Sequence, residues 1–259
     1  GVIDSLKTAS PLRVQPECKH FGVCGGCKWQ HIGYAEQLKF KQQIVHDALE
    51  KIGKLTYPAL PAVLGSAQPF FYRNKMEFAF TDRRWLTEEE IVSGSTFDHR
   101  NGVGFHVPEN FLGVIHVEKC HLQGGPSNAI RDAVYAFALS NGYSFFNLKH
   151  QTGLLRTMMV RTTSLGELLV LVSFTENDTQ KIEALLRHLL QLFPQITSLQ
   201  YVINNKRNDT IYDLPLQVFS GRDHILEQLG DYRFKIGAKS FFQTNSAQAK
   251  VLYDITKEF

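Results

Sequence analysis

Residues 18–27 have the sequence CKHFGVCGGC and contain three of the chain's four cysteines. These three are Cys18, Cys24 and Cys27, and the fourth, Cys120, follows after a gap of 92 residues. Four thiols form one set of soft ligands, the kind that holds zinc or an iron–sulfur cluster. The paired glycines of the loop suit a backbone that turns sharply enough to aim successive thiolates at one centre. The pattern predicts that the four sulfurs converge on one metal centre.

Other uses of the four cysteines remain open at this point. Two disulfides would suit a short secreted chain, whereas this chain has 259 residues and its first ten contain no apolar run typical of a signal peptide. Four unrelated core cysteines would be ordinary in a protein of this length. His20 and His31 could replace thiols as zinc ligands, although a set of four thiols makes that unnecessary.

Length and charge limit the function classes only broadly. The chain is long enough for one large domain or two small ones, and no run of 18 apolar residues predicts a membrane helix. A net charge of +3 permits nucleic-acid binding without arguing for it. Splitting the chain after residues 60 and 125 shows no strongly basic segment. Cysteine usage indicates a reducing compartment, the cytoplasm.

Apolar periodicity predicts an α+β fold with antiparallel or mixed sheets and packed helices. Helical spacing covers four segments, Tyr34–Ile52, Pro126–Gly142, Asp178–Phe193 and Ala247–Phe259. Strand patterns cover Phe71–Asp82, Gly102–Pro108, Val114–Cys120, Leu155–Thr163, Glu167–Phe174, Ser198–Asn204, Gln217–Ser220, His224–Leu229 and Tyr232–Ile236. Residues 83–101 are polar and predict a loop or hairpin, and residues 1–17 predict a strand remnant followed by a loop.

Four motifs in order resemble the RNA uridine-C5 methyltransferases. They are CKHFGVCGGCKWQHIGYAEQLKFKQQ (18–43), FYRNKMEFAF (71–80), KCHLQ (119–123) and SFFQTNSAQAKVLY (240–253). Within that family the motifs are most similar to the bacterial branch that methylates 23S ribosomal RNA and carries a [4Fe–4S] cluster.

The resemblance implies that this chain is the central portion of such an enzyme, with the catalytic domain absent. Residues 1–17 would be the remnant of an OB-like domain and linker, 18–125 the cluster-binding part, 126–244 an α/β part, and 245–259 a linker helix into a missing methyltransferase domain. The implied partners are 23S rRNA and S-adenosylmethionine, with no membrane. The chain would be a monomer, would hold no catalytic residue and would be inactive by itself.

The resemblance also assigns individual residues. The four cysteines match the cluster ligands, and Gln243 matches a glutamine that contacts S-adenosylmethionine. An amide both donates and accepts hydrogen bonds, which suits the polar tail of that cofactor. We expect the Gln243 side chain to be exposed. Phe241 and Phe242 match aromatic residues at the pocket, although core packing is the simpler role for one of the two.

Candidate RNA contacts come from two further stretches. Arg73 and Lys75 could reach phosphates or lie on a solvated strand face. Lys28, Trp29 and His31 follow the cysteine loop and could grip or stack on RNA, while Trp29 could equally shield a cluster from solvent.

Three alternatives stay open. The chain could be a stand-alone RNA-binding module stabilised by a metal, or a fragment of a tRNA uracil-C5 methyltransferase. A small electron-transfer protein is disfavoured, because the loop lacks the dense four-cysteine run of ferredoxins.

Overall fold

The structure is a computed structural model that describes residues 5–259. The chain divides into two compact units. The first comprises residues up to 22 together with 27–69, and the second comprises residues 23–26 together with 70–259. The strand remnant expected at the N-terminus falls partly on residues 1–4, which lie outside the described residues.

The described residues of the first unit contain one α-helix, α1 (Tyr34–Asp47), which continues into a π-helical turn, Ala48–Ile52. The backbone N–H of Gly53 donates to the carbonyl of Ala48 at 2.9 Å, the wider hydrogen bond that defines such a turn. The prediction of one regular helix over 34–52 is therefore wrong at its C-terminal end. Its predicted apolar stripe is also not buried, since Ile44 remains 57% exposed.

The second unit is built on a seven-stranded sheet in the order β3-β2-β1-β4-β5-β6-β7. Its strands are β1 (Lys75–Thr81), β2 (Gly102–Val107), β3 (Asn110–His116), β4 (Leu155–Thr162), β5 (Leu168–Phe174), β6 (Ser198–Ile203) and β7 (Gln217–Gly221). All neighbouring strands are antiparallel except the β5–β6 pair. A separate hairpin consists of β8 (His224–Leu229) and β9 (Tyr232–Gly237).

Four helices complete the unit: α2 (Glu88–Val92), α3 (Ser127–Ser140), α4 (Thr179–Leu192) and α5 (Ser246–Glu258). Helix α4 connects the two parallel strands, and Asp178 caps it by accepting a hydrogen bond from the backbone N–H of Lys181. Its buried Leu185 and Leu189 each stabilise the fold by roughly 1.5–3 kcal/mol.

Strand β5 is buried along its whole length, which explains its uninterrupted apolar sequence LLVLVSF. One of its faces belongs to a core shared with the β8–β9 hairpin, where Leu171, Ile225 and Ile236 pack together. By contrast, β1 alternates buried Met76 with exposed neighbours, as a strand with one open face should.

The predicted α+β class with a mixed sheet and packed helices is confirmed. Two local predictions are wrong. Residues 83–101 contain α2, whose Thr87 and Glu90 form a reciprocal capping box. Strand β3 ends at His116, so Cys120 lies in the loop that follows it and not at a strand end.

Candidate functional site

The segment 241–243 alternates between solvent and core. Phe241 is 86% exposed, and the next residue, Phe242, packs against the core beside Phe234 with ring centroids 5.6 Å apart. Gln243 is exposed again, as we expected. Core packing is thus the role of Phe242, and the segment presents an aromatic ring and a primary amide to solvent.

Hydrogen bonds from Asn74 hold this segment in place. The backbone N–H of Asn74 donates to the carbonyl of Thr244 at 2.8 Å. Its side-chain amide donates to the carbonyl of Gln243 and to the hydroxyl of Ser246, both at 2.8 Å. The backbone under Gln243 is therefore fixed from the start of β1, although the two residues are 169 positions apart.

A buried carboxylate, Glu227, completes the network. Only 1% exposed, it accepts a hydrogen bond from the hydroxyl of Ser246 at 2.7 Å. Its other oxygen accepts from the backbone N–H of Ser164 at 2.9 Å, from the hydroxyl of the same serine, and from the backbone N–H of Gln228 at 3.0 Å. Several donors on one buried carboxyl group make a rigid anchor.

Sequence reasoning did not identify Asn74 or Glu227 as part of a site. Asn74 stands inside the conspicuous FYRNK string, so its position was available as a signal. Glu227 carries no local signal, because its side-chain partners Ser164 and Ser246 come from two distant parts of the chain.

Arg73 and Lys75 flank Asn74 but lie in different surroundings. Arg73 is half-buried, and its backbone N–H donates to the carbonyl of Leu122 at 2.8 Å. Lys75 forms an ion pair with Glu77 and lines a pocket of about 400 Å³ on the open face of β1. Lys239 closes one wall of this pocket by donating from Nζ to the carbonyl of Leu214 at 2.6 Å.

The candidate RNA contacts after the cysteine loop belong to the first unit. Lys28 is exposed. Trp29 is half-buried and meets Phe40 of α1 edge-to-face, with centroids 6.4 Å apart. His31 lies beside Phe21 at 5.2 Å. Packing accounts for part of the Trp29 surface, and Lys28 is free to reach a ligand.

None of the four cysteines forms a disulfide, which removes the disulfide alternative. Cys18 and Cys27 belong to the first unit, and Cys24 and Cys120 to the second. Burial raises the pKa of the Cys18 thiol, while backbone N–H groups of His20 and Phe21 act in the opposite direction.

Local geometry around two cysteines is well defined. The backbone N–H of Gly26 points at Cys24 Sγ at 3.5 Å, and that of Gly25 donates to the carbonyl of His106 at 3.0 Å. The backbone of Cys120 is held on both sides by Asn128, through its N–H at 2.9 Å and its carbonyl at 3.0 Å.

These donors nevertheless do not form an assembled metal site. Across residues 5–259, no group of three or more histidine, cysteine, aspartate or glutamate residues is arranged to hold a metal ion. The predicted convergence of the four sulfurs thus stays a prediction. The same residues include no helix with the length and apolar character needed to cross a membrane.

No protein-family model matches the chain. Comparison with individual proteins finds relatives that are named as RNA methyltransferases. The chain is 50% identical to an uncharacterized RNA methyltransferase of Bacteroides thetaiotaomicron, over 96% of this chain and 56% of that protein. It is 48% identical to one of Porphyromonas gingivalis, over 100% of this chain and 57% of the relative. The chain therefore spans just over half the length of these relatives.

One solved structure is similar over almost the whole chain. It is the Pyrococcus abyssi tRNA (uracil-54, C5)-methyltransferase in complex with S-adenosyl-L-homocysteine. The two are 26% identical with a TM-score of 0.68, and the match covers 98% of this chain and 53% of that one.

These matches correct the function that the resemblance implied. We predicted the central portion of a 23S rRNA enzyme without its catalytic domain. That prediction is wrong, because proteins named as RNA methyltransferases align with 96–100% of this chain, and the similar structure is a tRNA enzyme that holds S-adenosyl-L-homocysteine. Nor do they support the prediction that this chain is inactive by itself. Together the comparisons support the assignment of this chain to the RNA methyltransferase family.

Proposed function

We propose that this chain serves the transfer of a methyl group from S-adenosylmethionine to C5 of uracil in RNA. The observation that carries the proposal is the exposed pair Phe241 and Gln243, presented on a backbone that Asn74 and Glu227 hold rigid. Similarity over 98% of the chain to a uracil-C5 methyltransferase with S-adenosyl-L-homocysteine supports it. A preorganised segment loses little entropy when it binds a ligand.

Each of the two side chains has a distinct role in the proposal. The Gln243 amide donates and accepts hydrogen bonds, as the charged amino-acid tail of S-adenosylmethionine requires. The Phe241 ring offers a flat apolar surface on which an unstacked base can lie. Uracil inside structured RNA must leave its stack before its C5 can meet a methyl donor, so such a surface is useful beside the cofactor.

The experiment measures methyl transfer and ligand affinity separately. Transfer of the tritiated methyl group from S-adenosylmethionine is measured on tRNA and on ribosomal RNA, because the two measurements decide which class of RNA is the substrate. Gln243→Ala should weaken cofactor binding by about 1–3 kcal/mol in calorimetry, through loss of a hydrogen-bonded partner. Gln191→Ala, at an exposed glutamine of α4, is the matched control.

Substitution of Phe241 should change the affinity for RNA and not that for the cofactor. Phe241→Ala should raise the Kd for RNA and leave the Kd for cofactor unchanged, while Phe241→Leu separates loss of stacking from loss of bulk. Tyr232→Ala removes a ring of similar exposure and should change neither. Wild-type protein that transfers no methyl group to either RNA would contradict the proposed reaction.

We also propose that Cys18, Cys24, Cys27 and Cys120 bind a [4Fe–4S] cluster. The residues fit the group in two respects. None of the four sulfurs is committed to a disulfide, and Cys24 Sγ faces a backbone N–H, the kind of hydrogen bond that tunes cluster sulfurs. When bound, the cluster would add a soft-ligand centre and a reducible group to the protein.

Anaerobic purification with iron, sulfide and zinc analysis tests this assignment. We expect iron and acid-labile sulfide in equal amounts, and loss of both in Cys24→Ser and Cys120→Ser. Full iron content in Cys120→Ser would remove that residue from the ligand set, and stoichiometric zinc without sulfide would replace the cluster by a structural zinc. The lack of a disulfide among the four cysteines fits the reducing cytoplasm, and the proposal includes a cytoplasmic location and a monomeric state.

A further inference from the structure

We propose that a second pocket, of about 320 Å³ at the far end of β1, binds a phosphate-bearing nucleotide of single-stranded RNA. This inference rests on the proposed function, because it adds a contact for the same substrate. Its lining includes Arg83, Trp85, Arg100 and Lys149. From Asn74 to Asp82 the chain advances roughly 25 Å at strand spacing, so this pocket and the Gln243 segment lie at opposite ends of one strand.

The apolar wall of the pocket is a supported indole. The backbone N–H of Trp85 donates to the carbonyl of Val114 at 2.7 Å, which fixes the residue along the edge strand β3. A Cβ at Gly113 would lie only 2.8 Å from the ring, so glycine is what allows Trp85 to rest on the hairpin. The side chain of Asn110 shapes that turn by accepting from the backbone N–H of Leu112 and of Gly113. Trp85 remains 37% exposed.

The cations of the pocket are held by groups that do not neutralise them. Arg100 donates from Nη2 to the carbonyl of Arg84 at 2.7 Å, and its buried Nε has no partner. Lys149 lies in a turn organised by Asn147, whose Oδ1 accepts from the backbone N–H of His150 at 2.8 Å. The Arg100 side chain and the Lys149 backbone are therefore positioned without an anionic partner.

Charge around this pocket is unbalanced. Within the described residues, neither Arg83, Arg100 nor Lys149 forms an ion pair, whereas the adjacent Arg84 binds Glu90 at 2.7 Å. The carboxylate in the lining is Asp82, and it already accepts a hydrogen bond from Asn147 at 2.7 Å. The lining therefore carries three cations against one carboxylate, an excess that calls for an anion, and phosphate is the anion that arginine and lysine bind in nucleic acids.

The indole selects RNA over other anions. A base can stack on an aromatic ring while its phosphate meets the cations, and this combination is typical of single-strand recognition. The volume lies in the range of small-ligand pockets. An acidic peptide would satisfy the cations but would leave the ring without a planar partner.

The test compares two double variants with the same change in charge. Arg83→Gln with Lys149→Gln removes two exposed cations from the pocket, and Arg233→Gln with Lys257→Gln removes two exposed cations elsewhere. The readout is the Kd for a fluorescent uridine-rich single strand, measured by anisotropy at several salt concentrations. The double variant of the pocket should bind the RNA strand about tenfold more weakly. The slope of log K against log salt concentration should become shallower by roughly 1.4, the value for two phosphate contacts on a single strand.

A stacking variant supplies an independent readout. Trp85→Leu should weaken the same complex by roughly 5- to 150-fold with little change in salt slope, because the loss is not electrostatic. A thermal melt identifies any variant that fails to fold, and Trp85→Phe keeps a ring if leucine is not tolerated.

The outcomes separate this inference from the proposed reaction. Equal affinity of the two double variants would overturn the pocket, even if wild-type protein methylates RNA. The inference would also be overturned if polyglutamate displaced the fluorescent strand as strongly as an oligonucleotide of equal length does. That result would show a surface that binds any polyanion. Absence of methyl transfer in wild-type protein with the predicted affinity differences intact would overturn the reaction and keep the pocket.

Discussion

Replacement of Asn74 by alanine tests whether the backbone beneath Gln243 must be held for the cofactor to bind. The change removes two hydrogen bonds of 2.8 Å, to the carbonyl of Gln243 and to the hydroxyl of Ser246, and keeps the backbone bond to Thr244. At about 0.5–1.5 kcal/mol for each neutral bond, and with one of the two at the surface, unfolding should become easier by about 1–2 kcal/mol. Affinity for S-adenosylmethionine should also fall, by less than in Gln243→Ala.

A matched control separates anchoring from general stability. Asn141 also donates its side-chain amide to a backbone carbonyl, that of Phe137 at 2.8 Å, at the end of α3. Asn141→Ala should lower the free energy of unfolding, measured by urea titration, by about 1 kcal/mol and should leave the affinity for S-adenosylmethionine unchanged. The double variant Asn74→Ala with Gln243→Ala should bind cofactor no more weakly than Gln243→Ala alone. Unchanged cofactor affinity in Asn74→Ala, or full additivity in the double variant, would refute the anchoring role.

Two further predictions concern stability. Hydrogen bonding from Arg84 lowers the pKa of Glu90 from 4.5 to about 2, so the pair stabilises the fold above pH 4.5 and this contribution disappears as the pH falls towards 2. After solvent screening the contribution is about 1 kcal/mol. In urea titrations, the free energies of unfolding of wild type and Glu90→Gln should differ by that amount at pH 6 and converge near pH 2. A difference that does not change with pH would contradict a stabilising role of the ion pair. Gly25→Ala would place a Cβ 2.6 Å from the carbonyl oxygen of His106, so it should destabilise the protein by about 1–3 kcal/mol in thermal melts. Gly26→Ala meets only Cys24 Sγ at 3.6 Å and should be nearly neutral, and equal effects of the two would show that the Gly25 contact is unimportant.

Periodicity predicted the long elements of the second unit well. Helix α4 and strand β5 match their predicted bounds to within a residue, because each has a strong apolar pattern and a clear cap or turn. The short helix α2 was missed, since five residues starting with three glutamates carry no apolar period. Its Thr87-x-x-Glu90 capping box was the signal present in the sequence. The π-helical turn after α1 has no such signal, because it depends on which carbonyl Gly53 meets.

The candidate site was predictable only where one motif contains it. Phe241, Phe242 and Gln243 are consecutive, and their alternation between solvent and core follows from strand-like geometry. Their anchor joins residues from the start of β1, the loop after β4 and the β8 strand, and no local pattern encodes those distances. The four cysteines are the reverse case, since their spacing is conspicuous and the described residues do not show them assembled.

Charge illustrates why composition says little about where RNA binds. Residues 61–125 carry two more acidic than basic residues, yet they contribute Arg83 and Arg100 to a pocket whose lining has three cations and one carboxylate. The acidic excess arises partly in α2, where the first turn is Glu88–Glu90 and where the helix dipole and Arg84 stabilise negative charge. Within the described residues, Glu90 of that turn pairs with Arg84, and none of the three glutamates pairs with Arg83 or Arg100. Because a phosphate interacts with the groups within about a Debye length, the proposed RNA contact depends on this local imbalance and not on the net charge of +3.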